Sequence, residues 1–261
     1  ISAATTIISS TIADVLEIVQ NTGSTFTTAT NYAVTISDAT ISAANVKLIN
    51  ADNGTGTIDI SAATTIISST IADVLEIVQN TGSVFTTATN YAVTLSDTSA
   101  SAANLNTINA DTTGLVTATN VTTISSSTFA DVNTLISNRG ISGNAINIDN
   151  DYNVTLSDVS ISAANVKVVN NDTSGTINIS AATTIISSTI ADVLEIVQNT
   201  GSVFTTATNY AVTISDATIS AANVKLINAD NGTGTIDISA ATTIISSTIA
   251  DVLEIVQNTG S

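Results

Sequence analysis

The stretch ISAATTIISSTIADVLEIVQNTGS at 1–24 recurs at 60–83, 179–202 and 238–261. The first two copies start about 59 residues apart, as do the last two. The longer middle gap holds a diverged copy, VTTISSSTFADVNTLISN, at 121–138. Residues 1–83 return at 179–261 with one change, Thr25 to Val203. Repetition at a fixed period decides the architecture before any count of domains from length.

Each unit of about 59 residues divides again. TTIISSTIADVLEIVQ (5–20) resembles VTISDATISAANVKLIN (34–50) at an offset of about 30. The prediction is an α/β solenoid of stacked coils of about 30 residues, each strand–short helix–strand, paired into units of about 59. It runs as one continuous array over 1–261, with units 1–59, 60–115, 116–178 (diverged), 179–237 and 238–261 (partial). The sequence opens at Ile1 and stops at Ser261 inside the pattern, with no polar capping repeat, and so reads as an excerpt of a longer array.

Within the first half-unit, the β-branched run Thr5 to Ser9 reads as a strand. Thr11-Ile-Ala-Asp14 has capping-box spacing, and Ile12, Val15, Leu16 and Val19 share one helical face. Asn21 to Ser24 ends the helix, with Gly23 as its left-handed residue. Phe26 to Thr30 reads as a second strand. The second half-unit places a helix after Ser42 or Thr40 through Asn50, a turn at Asp52-Asn53-Gly54, and a strand at Thr57 to Ile60. Helices of about nine residues need packing to persist. Strands stack at about 4.8 Å and helices at about 8–10 Å. Two strands per coil in one sheet would match one helix spacing and give a straight or gently twisted rod; one would force a horseshoe.

Composition removes several chemistries. The 261 residues include no Cys and no His, so disulfides, thiolate zinc sites and a Ser-His-Asp triad are excluded. With 4 basic and 21 acidic residues, net −17, partnership with nucleic acid or an anionic membrane surface is disfavoured. No membrane insertion is expected.

Two Asp columns are the candidate metal ligands. Asp38, Asp97, Asp158 and Asp216 follow a strand, and Asp52, Asp111, Asp172 and Asp230 follow the second helix. Repeated Asp in a solenoid suggests calcium, but neither the glycine-rich nonapeptide nor the EF-hand loop is present. Capping and Asx-turns are the structural reading, and no cofactor is expected. Glu17, Lys47, Glu76, Lys167, Glu195, Lys225 and Glu254 are read as equivalent positions on successive helices, forming a weak charge ladder. Asn45, Asn104, Asn165 and Asn223 are aligned with Val15. Residues 139–153 are unique, with Arg139 near Asp149 and Asp151.

The string VTLSDTSASAANLNTINADTTGLVTATNVTTISSSTFADVNTLISN (93–138) resembles repeats of giant secreted surface proteins of marine cyanobacteria and other marine bacteria, including adhesin stalks of the RTX type. The resemblance implies an extracellular or cell-surface location. The expected function is a structural segment of a fibre, surface layer or stalk. Its partner is itself, head-to-tail or laterally, through coil-to-coil stacking. The alternative is an adhesin-type module contacting glycans or surfaces. An enzyme is not expected, because a lyase would need a unique cluster of carboxylates and a base, and 139–153 reads as a drifted corner.

Overall fold

The computed structural model describes residues 5–140, 145–245 and 247–257. The described elements follow the repeat. In chain order they begin β1 (Thr6–Ser10), α1 (Ile12–Gln20), β2 (Ala33–Ile36), β3 (Thr40–Ile41), α2 (Ala43–Asp52), β4 (Ile58–Ile60), β5 (Thr65–Ser69) and α3 (Ile71–Gln79). Next come β6 (Phe85–Thr87), β7 (Ala92–Leu95), β8 (Ser99–Ser101), α4 (Ala102–Asp111), β9 (Val116–Thr117), β10 (Thr123–Ser127), α5 (Phe129–Ser137) and β11 (Ile146–Asn147). The order continues with β12 (Asn153–Leu156), β13 (Ser160–Ile161), α6 (Ala163–Asp172), β14 (Ile177–Asn178), β15 (Thr184–Ser188), α7 (Ile190–Gln198) and β16 (Phe204–Thr205). It closes with β17 (Ala211–Ile214), β18 (Thr218–Ile219), α8 (Ala221–Asp230), β19 (Ile236–Asp237), β20 (Thr243–Ile244) and α9 (Ile249–Gln257). This is an α/β fold of repeated strand–helix units with parallel sheets. Odd-numbered helices belong to first-type half-units and even-numbered helices to second-type half-units.

The chain divides into two compact units, 1–122 with 137–149, and 123–136 with 150–261. In the first, the strand orders are β1-β2-β4-β6 and β11-β9-β7-β5-β3. Helices α1, α2, α3 and α4 pack each on the next. In the second, β10, β12, β14 and β16 form one ladder, β13, β15, β17 and β19 another, and β18 pairs with β20. There α6, α7, α8 and α9 follow one another side by side.

The strands depart from the strand–helix–strand plan. The linker from α2 to α3 carries two strands, whereas the linker from α3 to α4 carries three. The run Phe26 to Thr30 is only an isolated bridge at Phe26, although its copy forms β6. Consecutive strands also enter different sheets: β4 pairs with β2 and β6, and β5 with β3 and β7. Each ladder therefore drifts, from the last strand of one linker to the middle and then the first strand of later ones. The strands flanking α2, β2 and β4, pair directly in one ladder, whereas those flanking α3, β5 and β6, enter different ladders.

The helix register also corrects the sequence alignment. Successive helices begin at 12, 43, 71 and 102, so the offset alternates around 30 instead of holding there. The fourth residue of each of the first four helices, Val15, Val46, Val74 and Leu105, is buried. Asn45 is thus the third helical residue, aligned with Asp14 and not with Val15. Lys47 is the fifth and Glu17 the sixth, so the charged positions are neighbours and not equivalents. The buried stripe of α3 is Ile71, Val74 and Ile77. The copies of Leu16 and Val19, Leu75 and Val78, are only half-buried. Among the described residues no helix is long and apolar enough to cross a membrane.

Candidate functional site

The polar columns lie at the helix ends, where the backbone leaves amides and carbonyls without helical partners. At first-type starts, Thr11 Oγ1 accepts from Asp14 N at 3.2 Å and donates to Asp14 Oδ2 at 2.6 Å. The copies at Thr70, Thr128, Thr189 and Thr248 do the same. Second-type helices use Ser42, Ser101 and Ser162 to accept from the third residue. These local caps were legible as sequence spacing.

A second cap comes from the following half-unit. Ile12 N donates to Asp38 Oδ2 at 2.7 Å, Ile71 N to Asp97 at 2.7 Å, Phe129 N to Asp158 at 2.7 Å and Ile190 N to Asp216 at 2.6 Å. The first Asp column therefore closes first-type helices, and a carboxylate there also suits the positive end of the helix dipole. Second-type helices receive a hydroxyl instead: Ala43 N donates to Ser69 Oγ, Ala163 N to Ser188 Oγ and Ala221 N to Ser247 Oγ, each at 2.8 Å. A bulge aims Ser69 and Ser188. In β5 the register shifts between Ile66 and Ser69, and Ser68 takes φ 45°. A non-glycine residue there costs about 1–2 kcal/mol, which the buried cap offsets.

The second Asp column meets tyrosine. Tyr32, Tyr91, Tyr152 and Tyr210 are all the tyrosines of the chain and are buried. The Tyr32, Tyr91 and Tyr210 hydroxyls donate to Asp52, Asp111 and Asp230 Oδ2 at 2.6 Å, and Tyr152 donates to Asp172. Each Asp is the last residue of its helix, where the dipole disfavours an anion, and the phenol supplies a partner. Burial, then the adjacent carboxylate, pushes the Tyr32, Tyr91 and Tyr210 phenols far above their usual range. The next residue fixes the same corner: Thr112 Oγ1 donates to Tyr91 O at 2.5 Å and accepts from Gly114 N at 2.9 Å. Asn53 Nδ2 reaches Tyr32 O at 3.3 Å.

The charge ladder runs from second-type to first-type helices. Lys47 Nζ lies 3.0 Å from Asp73 and 3.7 Å from Glu76, and Lys167 lies 2.9 Å from Asp192 and 3.4 Å from Glu195. Lys225 lies 3.7 Å from Asp251 and 3.1 Å from Glu254. The lysines hold the Asp73 and Asp192 carboxyls below their ordinary value; for Asp251 the Thr248 hydroxyl contributes first. The helix-start Asp was missed as a lysine partner because the sequence alignment was one residue out. The tyrosines were missed too, although each stands 20 residues before its Asp.

The eight calcium candidates are thus spread along the helix ends, four on amides and four on phenols. Among the described residues no group of three or more His, Cys, Asp or Glu could hold a metal ion. In the unique region Arg139 Nη2 donates to Ile148 O at 3.1 Å, a backbone contact that ties the corner; residues 141–144 lie outside the described residues. Compared with known proteins, the chain matches no family model, no curated protein and no solved structure.

Asp97→Ala is expected to cost about 1–2 kcal/mol, since it strips a part-buried cap from Ile71 N. Asp97→Asn keeps an acceptor and should recover much of that. Urea unfolding with amide exchange at Ile71 measures both; equal stability of the alanine variant and the native chain would remove the cap from the account.

Proposed function

We propose that the chain is a structural repeat segment of an extracellular or cell-surface fibre, surface layer or stalk. In this reading the half-units are coils of one continuous, elongated solenoid. Copies associate by the coil-to-coil contact used inside the chain. The observation that supports it most is the forward cap: helix starts along the chain are completed by Asp or Ser of the next half-unit. A half-unit of this kind is finished by its neighbour, which is the logic of a linear array and not of a closed pocket. The similarity to marine bacterial surface repeats points the same way. The role is mechanical and not catalytic, with no cofactor.

The test is a series of chains lengthened by one, two and three copies of the unit of about 59 residues. Small-angle scattering should show length rising by about 16–20 Å per unit, two helix spacings. Growth as a compact globule would overturn the proposal. In the same series a chelator should move the melting temperature by less than about 2 °C. A loss above about 10 °C would mean that the Asp columns hold a cation which stabilises the fold by mass action.

A further inference from the structure

The corner after α2 holds a reactive dipeptide that the fold itself requires. Gly54 has φ 67°, and a Cβ there would overlap Thr30 O and Asn31 Oδ1, so only glycine fits. Asn53 before it is buried, and its Nδ2 donates to Gly56 O at 2.8 Å and to Tyr32 O at 3.3 Å. Asn231-Gly232 repeats the arrangement after α8. Gly232 has φ 64°, and the buried Asn231 Nδ2 donates to Gly234 O at 2.7 Å and to Tyr210 O at 3.2 Å. These are the only Asn-Gly pairs in the sequence. In the two shorter corners Thr112 and Thr173 make the tyrosine contact instead.

In an open chain such a pair is chemically unstable, because glycine puts no side chain in the way of attack by its own nitrogen. The Gly54 nitrogen bonds to Asn53 Cγ, and Nδ2 leaves as ammonia, taking the Gly54 proton. Water then opens the cyclic imide to aspartate or isoaspartate. The folded corner blocks each part of this. Ring closure needs Cβ of the asparagine and the glycine nitrogen to eclipse about the Cα–C bond. With ψ 3° at Asn53 and 6° at Asn231 they stand about a third of a turn apart. The nitrogen that must leave is held by two carbonyls. Negative charge would collect on Asn53 Oδ1 and Asn231 Oδ1, which are buried with no partner among the described residues to stabilise it.

We infer that Asn53 and Asn231 are fold-gated modification sites: sealed while the corner is closed, deamidated when it opens, and unable afterwards to rebuild it. Aspartate in place of Asn53 would turn acceptors alone toward Tyr32 O and Gly56 O in a buried place. Isoaspartate would add a carbon to the main chain where Asn53 N donates to Ile49 O and Asn53 O accepts from Gly56 N. Opening is thereby recorded at two of the four tyrosine corners. The Thr112 and Thr173 corners have no amide to lose and keep no such record.

The experiment holds the 261-residue chain in mildly alkaline buffer with and without urea, then cuts it with trypsin. Cleavage after Lys47, Arg139, Lys167 and Lys225 puts the two sites on separate peptides. Mass spectrometry reads the gain from amide-to-acid exchange and its position. Residues 53 and 231 should react at least about tenfold faster in urea than in the folded chain, since the rate follows the open fraction. The double variant Asn53→Thr, Asn231→Thr should lose the fast phase in urea, a result that does not require the variant to fold. On removal of urea, modified chains should unfold at a lower urea midpoint than unmodified ones. Equal rates with and without urea overturn the gate. No mass gain at either residue in urea overturns the sites. Modified chains that refold with the unmodified midpoint overturn the one-way step.

Discussion

Alanine in place of Gly114 is expected to cost about 3 kcal/mol or more. A Cβ built there would overlap the carbonyl oxygen of Tyr91 and crowd that of Asn90. Both are backbone atoms of the buried corner that holds the Tyr91 phenol on Asp111, so neither can swing aside. The cost is steric contact, because the residue does not occupy the left-handed region. Gly56, Gly175 and Gly234 meet the carbonyl of their own tyrosine in the same way. Gly82 is the control. It has φ 80° and nothing within 4 Å of its Cβ position, so alanine there should cost only about 1–2 kcal/mol of backbone strain. Denaturant midpoints of the two variants give the comparison, and equal losses would show that the tyrosine corner yields.

Alkaline pH should unfold the chain in a transition coupled to tyrosine ionisation. The Tyr32, Tyr91 and Tyr210 phenols are raised, by burial first and by their Asp partners second. A raised group contributes its full stability below its unfolded value, about 10 for tyrosine, and loses it as pH climbs toward the folded value. Above about pH 10 each phenol held neutral should lower stability by about 1.4 kcal/mol per pH unit, so Tyr32 and Tyr91, which share one compact unit, together lower it by about 3. Phenolate absorbance and loss of circular dichroism should then rise together. Phenols that titrate near 10 while the dichroism holds would contradict the burial. At the acid end the sign reverses. Asp73 and Asp192 lie below their ordinary value, so their contribution is intact above about pH 4 and fades as pH falls through their folded value.

The helices and local caps were legible because they obey short-range rules. Thr11 and Asp14 stand at capping distance, and the strand that became β1 is β-branched. The sheet pairing was not legible. The ladder drifts across linkers of unequal strand number, and nothing in a two-residue strand such as β3 announces its partner. Asp38 was read as a cap or Asx-turn with no helix assigned to it, and the structure supplies the partner: its carboxylate accepts from Ile12 in the half-unit before. Ser69 was given no role in the sequence, since only the bulge turns its hydroxyl onto Ala43. The tyrosines carried a signal that went unused, because a residue type confined to one repeat position, at fixed distance from an Asp, marks a built contact.

The drifting ladders have a consequence for how a load would pass through either unit. Sheet β3-β5-β7-β9-β11 begins later in the chain than β1-β2-β4-β6, overlaps it in sequence and outlasts it, like planks laid with staggered joints. A tear that opens one ladder runs out of that ladder after four or five strands. To continue it must start afresh between other residues, through the turn that joins one strand to the next. Crack arrest of this kind comes from the unequal linkers alone and requires no strong bond at any point.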